Sequence, residues 1–288
     1  MMDFQEIVLP EIGSPHPDEG MVATAYPRLA FVHVPKTAGT AVTNALNRAY
    51  AGGIFPAMTT IDYRHYDNDS FMEYRFFKGH AYRCDYERLP AGTILLTILR
   101  DPVARTMSLY QYYRAILDTH LTDPFMLEAS HLAKTASIVE FIYSDSPFLI
   151  EHLRLGQARQ FLPDDMLKQI AHRQFLSREL RHCAVEAFTQ QMARFDYSLT
   201  TEALALSFPL MAAQLGLPES CLKLERDNES EPAADIDPAD IRRALIDVNA
   251  AEFTCYDNVR RRETAWLVTS LRQVPSDPLA RAHMAGMP

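Results

Sequence analysis

Leu29-Ala30-Phe31-Val32-His33-Val34-Pro35-Lys36-Thr37-Ala38-Gly39-Thr40, continued by Ala41 to Tyr50, is the stretch that decides the fold. Leu29 to Val34 is almost entirely apolar, as a strand covered on both faces must be, and Thr40 to Tyr50 has the composition of a helix. The reading is strand, loop, helix. In that loop Gly39 permits close backbone approach, and residues 38 to 41 would turn the unpaired N–H groups of a helix start toward an anion. Thr40 can cap the helix and offer its hydroxyl to a phosphate, while Lys36 brings a positive charge to the loop's mouth. Taken alone, the pattern reads equally well as a plain helix start with a solvated lysine.

Working outward, Thr93 to Leu99 is a second buried strand, and it runs into Arg100-Asp101-Pro102. Asp101 can cap the next helix and Pro102 suits its first position, where a missing N–H costs nothing. From Asp101 to Ser108 is nearly two turns, so Ser108 lies about 20° round the helix from the cap and about 10 Å along it. Arg100 and Ser108 can therefore converge on one cluster of phosphate oxygens, the arginine as a bidentate fork. Their plain alternatives are an ion pair and an ordinary polar helix position. Arg105 reads as an i,i+4 partner of Asp101.

Elsewhere, Tyr74 to Phe77 forms a short strand that leads into Lys78-Gly79-His80. Helices dominate from Ile138 to Met192, with breaks near Pro147 and Pro163. Phe195 to Thr200 supplies a further strand, a helix runs on to Gly216, and Pro238 to Arg272 reads as one or two terminal helices. Residues 51–73 and 119–137 read as variable loops, and 225–240 as an acidic one. Pro10, Pro15, Pro17 and Pro27 mark an extended arm over residues 1–27, ahead of a single domain over 28–273 and a tail over 274–288. Strands alternating with helices imply a parallel sheet, with ligands at the carboxyl ends of its strands.

At 288 residues, 48% of them apolar, the chain can bury one large core. The formal charge of -9 argues against general nucleic-acid binding, so any anion site must be built locally. No apolar run approaches the roughly 18 residues of a membrane span, and the start of the chain lacks the basic and apolar regions of a signal peptide. Cys84, Cys183, Cys221 and Cys255 are scattered and read as buried or half-buried thiols. A cytoplasmic, soluble protein is the expectation.

A nucleotide triphosphatase would place Gly-Lys-Ser/Thr at the helix start, with a carboxylate for Mg²⁺ after another strand. Here Lys36 precedes Thr40 by four residues, and Asp101 sits in the context of a cap. Phe31 to Thr40 instead resembles the 5'-phosphosulfate loop of the Golgi-type carbohydrate sulfotransferases, the family of the heparan sulfate 2-O-sulfotransferases. Arg100-Asp101-Pro102-Val103-Ala104-Arg105 through Ser108-Leu109-Tyr110 is similar to that family's 3'-phosphate segment. Weaker similarity runs through Gly156 to Leu162, Phe195 to Glu202, Arg226-Asp227-Asn228 and the helix around Asp257.

The resemblance implies an α/β, P-loop NTPase-like three-layer sandwich with a central parallel sheet and a large helical portion. It implies 3'-phosphoadenosine 5'-phosphosulfate as co-substrate and no metal. Lys36, Thr37, Ala38, Gly39, Thr40 and Ala41 would hold its 5' end, and Arg100 and Ser108 its 3' phosphate. Gln157, Arg159, Arg226 and Asn228 match loosely enough to be ordinary surface or loop residues. The missing membrane anchor points to a bacterial-type soluble member, acting on a hydroxyl of a glycan, glycolipid or related small acceptor.

Sulfuryl transfer needs a base for the attacking hydroxyl and a cation at the leaving phosphate. His80, at the end of a strand, suits the first role by its ordinary pKa near neutrality, and Lys36 suits the second. His33 reads as a core histidine, His65 as a fallback base or substrate contact, and Lys78 as an acceptor contact or a solvated lysine. Tyr63, Arg64, His65 and Tyr66 either line a sugar site or belong to a packed Tyr-rich loop. The competing readings are an ATP-dependent small-molecule kinase and a non-catalytic nucleotide-binding protein.

Overall fold

The computed structural model describes residues 26–56, 63, 65–171, 173, 175–221, 223–224 and 237–273. Most of the expected arm and the tail, together with Arg64, Arg226 and Asn228, lie outside the described residues. Four strands, β1 (Leu29–Val32), β2 (Phe76–Gly79), β3 (Ile94–Leu99) and β4 (Tyr197–Thr200), form one parallel sheet in the order β2-β1-β3-β4. The helices are α1 (Gly39–Ala49), α2 (Arg83–Tyr86), α3 (Pro102–Ala115), α4 (Pro124–Thr135), α5 (Ile138–Tyr143), α6 (Pro147–Leu153), α7 (Asp164–Ile170), α8 (Arg178–Met192), α9 (Leu204–Gln214) and α10 (Pro238–Gln273). The expected α/β class with a central parallel sheet is what the chain adopts.

The near-continuous apolar character of β1 follows from helices on both sides. Leu29 and Phe31 pack with Val42, Ala45 and Leu46 of α1 and Phe208 and Met211 of α9. Ala30 and Val32 join Ala184, Phe188 and Met192 of α8 and Val259 of α10 on the other face. In β3, Leu96 and Ile98 belong to the first face, Leu95 and Leu99 to the second. Each such fully buried large side chain contributes about 1.5–3 kcal/mol. A third cluster, built from α3, α4, α5, α6 and the first half of α10, extends the helical portion beside the sheet.

Proline punctuates the helices as expected. Pro147 opens α6, Pro163 immediately precedes α7, and the terminal helix bends at Asn249, which has φ -155° and ψ 48°. The expectation of a loop over 119–137 is overturned, because α4 occupies most of it. Asp123 accepts a hydrogen bond from the Phe125 N–H at 2.8 Å, and Pro124 takes the first position, the same Asp-Pro start that opens α3. The four cysteines form no disulfide among the described residues; Cys221 and Cys255 are buried and Cys84 is half-buried, but Cys183 is exposed on α8.

The chain passes from β1 to β2 on one side and then to β3 on the other. The crevice outside the carboxyl ends of β1 and β3 is thus a topological switch point, where ligands of open α/β sheets bind. The loop carrying Lys36 and the turn carrying Arg100 both emerge there.

Candidate active site

The β1–α1 loop is shaped by three tight constraints. Lys36 and Ala38 have φ of 69° and 62°, the left-handed region, so two non-glycine residues within three positions reverse the chain. Thr37 is buried and its hydroxyl donates to the Val34 carbonyl at 2.8 Å. The Thr37 side chain thus closes the loop on itself. Gly39 packs against His33 so closely that a Cβ would fall 1.7 Å from His33 Nε2. The close approach for which Gly39 was singled out is made by that imidazole.

Helix α1 starts without a side-chain cap. Ala38 occupies the cap position, so the capping role expected of Thr40 is not taken up. Thr40 lies one residue inside the helix and is exposed. The N–H groups of Gly39, Thr40 and Ala41 precede the first helical bond, from the Val42 N–H to the Ala38 carbonyl. They form the positive end of α1 at the crevice.

Across the crevice, Asp101 caps α3 as expected, its Oδ1 accepting from the Val103 and Ala104 N–H groups at 3.0 Å each. Arg100 sits just before it, half-buried, with Nη1 approaching the Lys36 carbonyl at 3.5 Å. Asp101, Arg105, Ser108 and Tyr112 follow at spacings of four, three and four, one stripe of α3. That stripe faces the loop. Arg105 Nε donates to the Pro35 carbonyl at 3.0 Å, and the Tyr112 ring lies 4.3 Å from Lys36 Nζ. By helical spacing, Ser108 falls between them on this stripe.

Arg105 departs from its reading as a surface partner of Asp101. It is buried, and its Nη1 also donates to the His152 carbonyl at 2.9 Å, so it ties the loop to the end of α6. Tyr112 was not anticipated at all. Both were accessible to the helical spacing that found Ser108.

Lys36 from the β1–α1 loop and Arg100 and Arg105 from the α3 side therefore meet at the crevice. Among the described residues, no carboxylate lies within ion-pair distance of any of the three. Burial, and then the charges of Arg100 and Arg105, push the Lys36 ammonium below its usual range. Burial likewise lowers Arg100, against the opposing pull of Glu202 and Asp101. Three like charges held beside an uncapped helix start form a locally positive seat on a chain of net charge -9.

His80 follows β2 directly. Gly79 has φ 138°, a conformation side-chain-bearing residues rarely adopt, and it turns the chain so that His80 Nδ1 lies 2.8 Å from the His33 carbonyl. A carbonyl only accepts, so Nδ1 carries the hydrogen and the neutral ring has its lone pair on Nε2. Burial lowers the His80 pKa below its ordinary value, partly opposed by this hydrogen bond. His33 stacks on His80 with ring centroids 4.6 Å apart, and its pKa falls to about 3 through burial and the His80 and Lys36 charges. His33 is thus the packed histidine expected of it, placed beneath the loop.

The segment from Gly156 to Leu162 runs under this assembly. Gln160 Nε2 donates to the His33 carbonyl at 3.1 Å. Gln157 is buried, and its side chain both accepts from the Arg100 N–H at 2.8 Å and donates to the Arg100 carbonyl at 2.9 Å. Arg159 is buried and pairs with Glu151 at 2.9 Å. The surface or loop role weighed for Gln157 and Arg159 does not hold. Tyr63 and Tyr66 pack around Phe55, with centroids at 5.1 and 4.7 Å, which makes the Tyr-rich loop a packed one. His65 is exposed on that loop, and Lys78 Nζ donates to Asn47 Oδ1 at 3.1 Å.

No protein-family model matches the chain, and no curated protein matches it. The site therefore stands on its own geometry.

Proposed function

We propose that this protein is a sulfotransferase that moves a sulfuryl group from 3'-phosphoadenosine 5'-phosphosulfate to a hydroxyl of a glycan, glycolipid or related small acceptor, on a P-loop-like sheet. The observation that supports the reading is that two walls carrying cationic side chains meet at one switch point. The loop of Lys36 with the open start of α1 forms one wall, and Arg100 with Ser108 on the loop-facing stripe of α3 forms the other. A donor phosphorylated at both 3' and 5' needs two seats. His80, from the adjacent strand, supplies a neutral imidazole with its lone pair on Nε2.

In this reading the Gly39, Thr40 and Ala41 amides and Lys36 hold the 5' phosphosulfate, and Arg100 and Ser108 hold the 3' phosphate. The acceptor hydroxyl oxygen attacks sulfur in line, its proton passes to His80 Nε2, and the bond from sulfur to the bridging phosphate oxygen breaks. Adenosine 3',5'-bisphosphate leaves. Lys36, whose ammonium is crowded by two arginines, neutralises the charge growing on the 5' phosphate.

The test is His80→Ala. Loss of the general base lowers turnover by about 100- to 10,000-fold while affinity for adenosine 3',5'-bisphosphate stays within about twofold. Near-normal turnover in the variant removes His80 from the mechanism.

A further inference from the structure

The buried polar chain behind Arg100 runs from the sheet edge to the terminal helix. Gln157 grips the Arg100 backbone at two points, N–H at 2.8 Å and carbonyl at 2.9 Å, as a strand neighbour would. Its own backbone N–H donates to Glu252 Oε1 at 2.8 Å. Glu252 is 5% exposed and lies on α10, three residues after the Asn249 kink. Asn249 Nδ2 donates to the Leu153 carbonyl at 2.8 Å, which fixes the kink against the end of α6. A small cavity lined by Arg105, Asn249 and Glu252 lies behind the turn, so Glu252 acts through Gln157 and by its charge on Arg105, without a direct ion pair.

Burial raises the Glu252 pKa, opposed by the Arg105 charge and by the hydrogen bond from the Gln157 N–H, so this buried carboxyl is held by the groups it contacts. The Arg100 turn is also held in front, where Glu202 Oε1 accepts from the Asp101 N–H at 3.0 Å and the Leu99 carbonyl accepts from the Thr201 N–H at 2.9 Å. Gln157 holds the Arg100 backbone from behind, while Nη1 of the guanidinium approaches the Lys36 carbonyl at 3.5 Å. An amide side chain is suited to this, because it offers one donor and one acceptor to a single peptide unit's neighbours.

We propose that Gln157, held in place by Glu252, is a positioning residue that aims the Arg100 guanidinium and so sets the preference for a nucleotide phosphorylated at its 3' position. This rests on the donor reading above. Gln157 touches no ligand in the proposal. It acts only through the Arg100 backbone.

The experiment compares wild type with Gln157→Met, which keeps the volume and loses both hydrogen bonds, and with Glu252→Gln, which keeps an acceptor for the Gln157 N–H and removes the ionisable carboxyl. Two readouts are taken on the full chain: the affinity ratio of adenosine 3',5'-bisphosphate to adenosine 5'-phosphate, and hydrogen exchange at the Arg100 amide. Gln157→Met is expected to cut the ratio by at least about tenfold while affinity for adenosine 5'-phosphate holds, since misplacing a group by about 1 Å can cost 100-fold. Exchange at Arg100 rises at the same time. Glu252→Gln produces smaller changes of the same kind.

An equal fall for both nucleotides in a folded Gln157→Met variant would mean general loosening and would overturn the proposal. So would unchanged exchange at Arg100. If wild type shows no preference for the 3' phosphate, the donor reading fails by itself; the exchange measurement still decides whether Gln157 holds Arg100.

Discussion

Two turns at the carboxyl ends of neighbouring strands begin helices in opposite ways. After β3, Asp101 folds its carboxylate over the first amides of α3, and Pro102 fills the position that needs none. After β1, Ala38 stands at the cap with no side chain to offer, in the left-handed conformation, and α1 opens onto the crevice. One helix start is satisfied by the protein itself, while the other keeps its amides beside Lys36 and Arg100. In the proposed reading, an anion site on an acidic chain is made by withholding a cap from one helix and giving it to the next.

The largest effect should come from making the open turn like the closed one. Ala38→Asp brings a carboxylate to the α1 amides in a backbone conformation that aspartate tolerates. Affinity for adenosine 3',5'-bisphosphate should fall by at least about 100-fold, because a like charge facing an anion costs several kcal/mol. Calorimetric titration reads this directly. Retained affinity would mean the α1 start is not the 5' seat.

Next in size is Gly39→Ala. The added methyl meets the His33 ring, which is stacked between Phe31 and His80 and has little room to give. A destabilisation of about 1–3 kcal/mol is expected, measured by denaturant unfolding. Asp101→Ala, on the capped side, should cost about 1 kcal/mol through loss of the two amide hydrogen bonds. Thermal unfolding checks it. If Asp101→Ala harms stability no more than a surface change does, the two helix starts are less different than their geometry says.

The smallest effect is a slope with pH. His33 precedes the open turn and His152 stands near the end of α6, and burial lowers their pKa values to about 3 and about 4. Both bind protons more readily once unfolded, near pH 6.5, so stability is fully present above that value and falls as pH drops from about 6.5 toward 4. His33→Phe should flatten the slope. An unchanged slope would assign it to other groups.

The comparison also marks what the sequence could tell. The two buried strands were legible in their unbroken apolar runs, and the Asp101-Pro102 start in two residues whose local chemistry leaves little choice. Lys36 and Arg100 were legible because each directly follows such a strand. Arg105 and Tyr112 shared the helical spacing of Ser108 but carried no mark of being buried or of facing the loop. Gln157 and Gln160 act on backbone groups 57 and 127 residues away in sequence, at Arg100 and His33, and no local pattern encodes such a partner. The helix within 119–137 was marked by Asp123-Pro124, the same signal read correctly at Asp101-Pro102.

The central claim is that two anion seats serve one donor, and calorimetry with adenosine 3',5'-bisphosphate and with ATP, each with and without Mg²⁺, tests it most directly. The account predicts tight, metal-independent binding of the bisphosphate and much weaker binding of ATP. Tight ATP binding that requires Mg²⁺, with none of the bisphosphate, would contradict it.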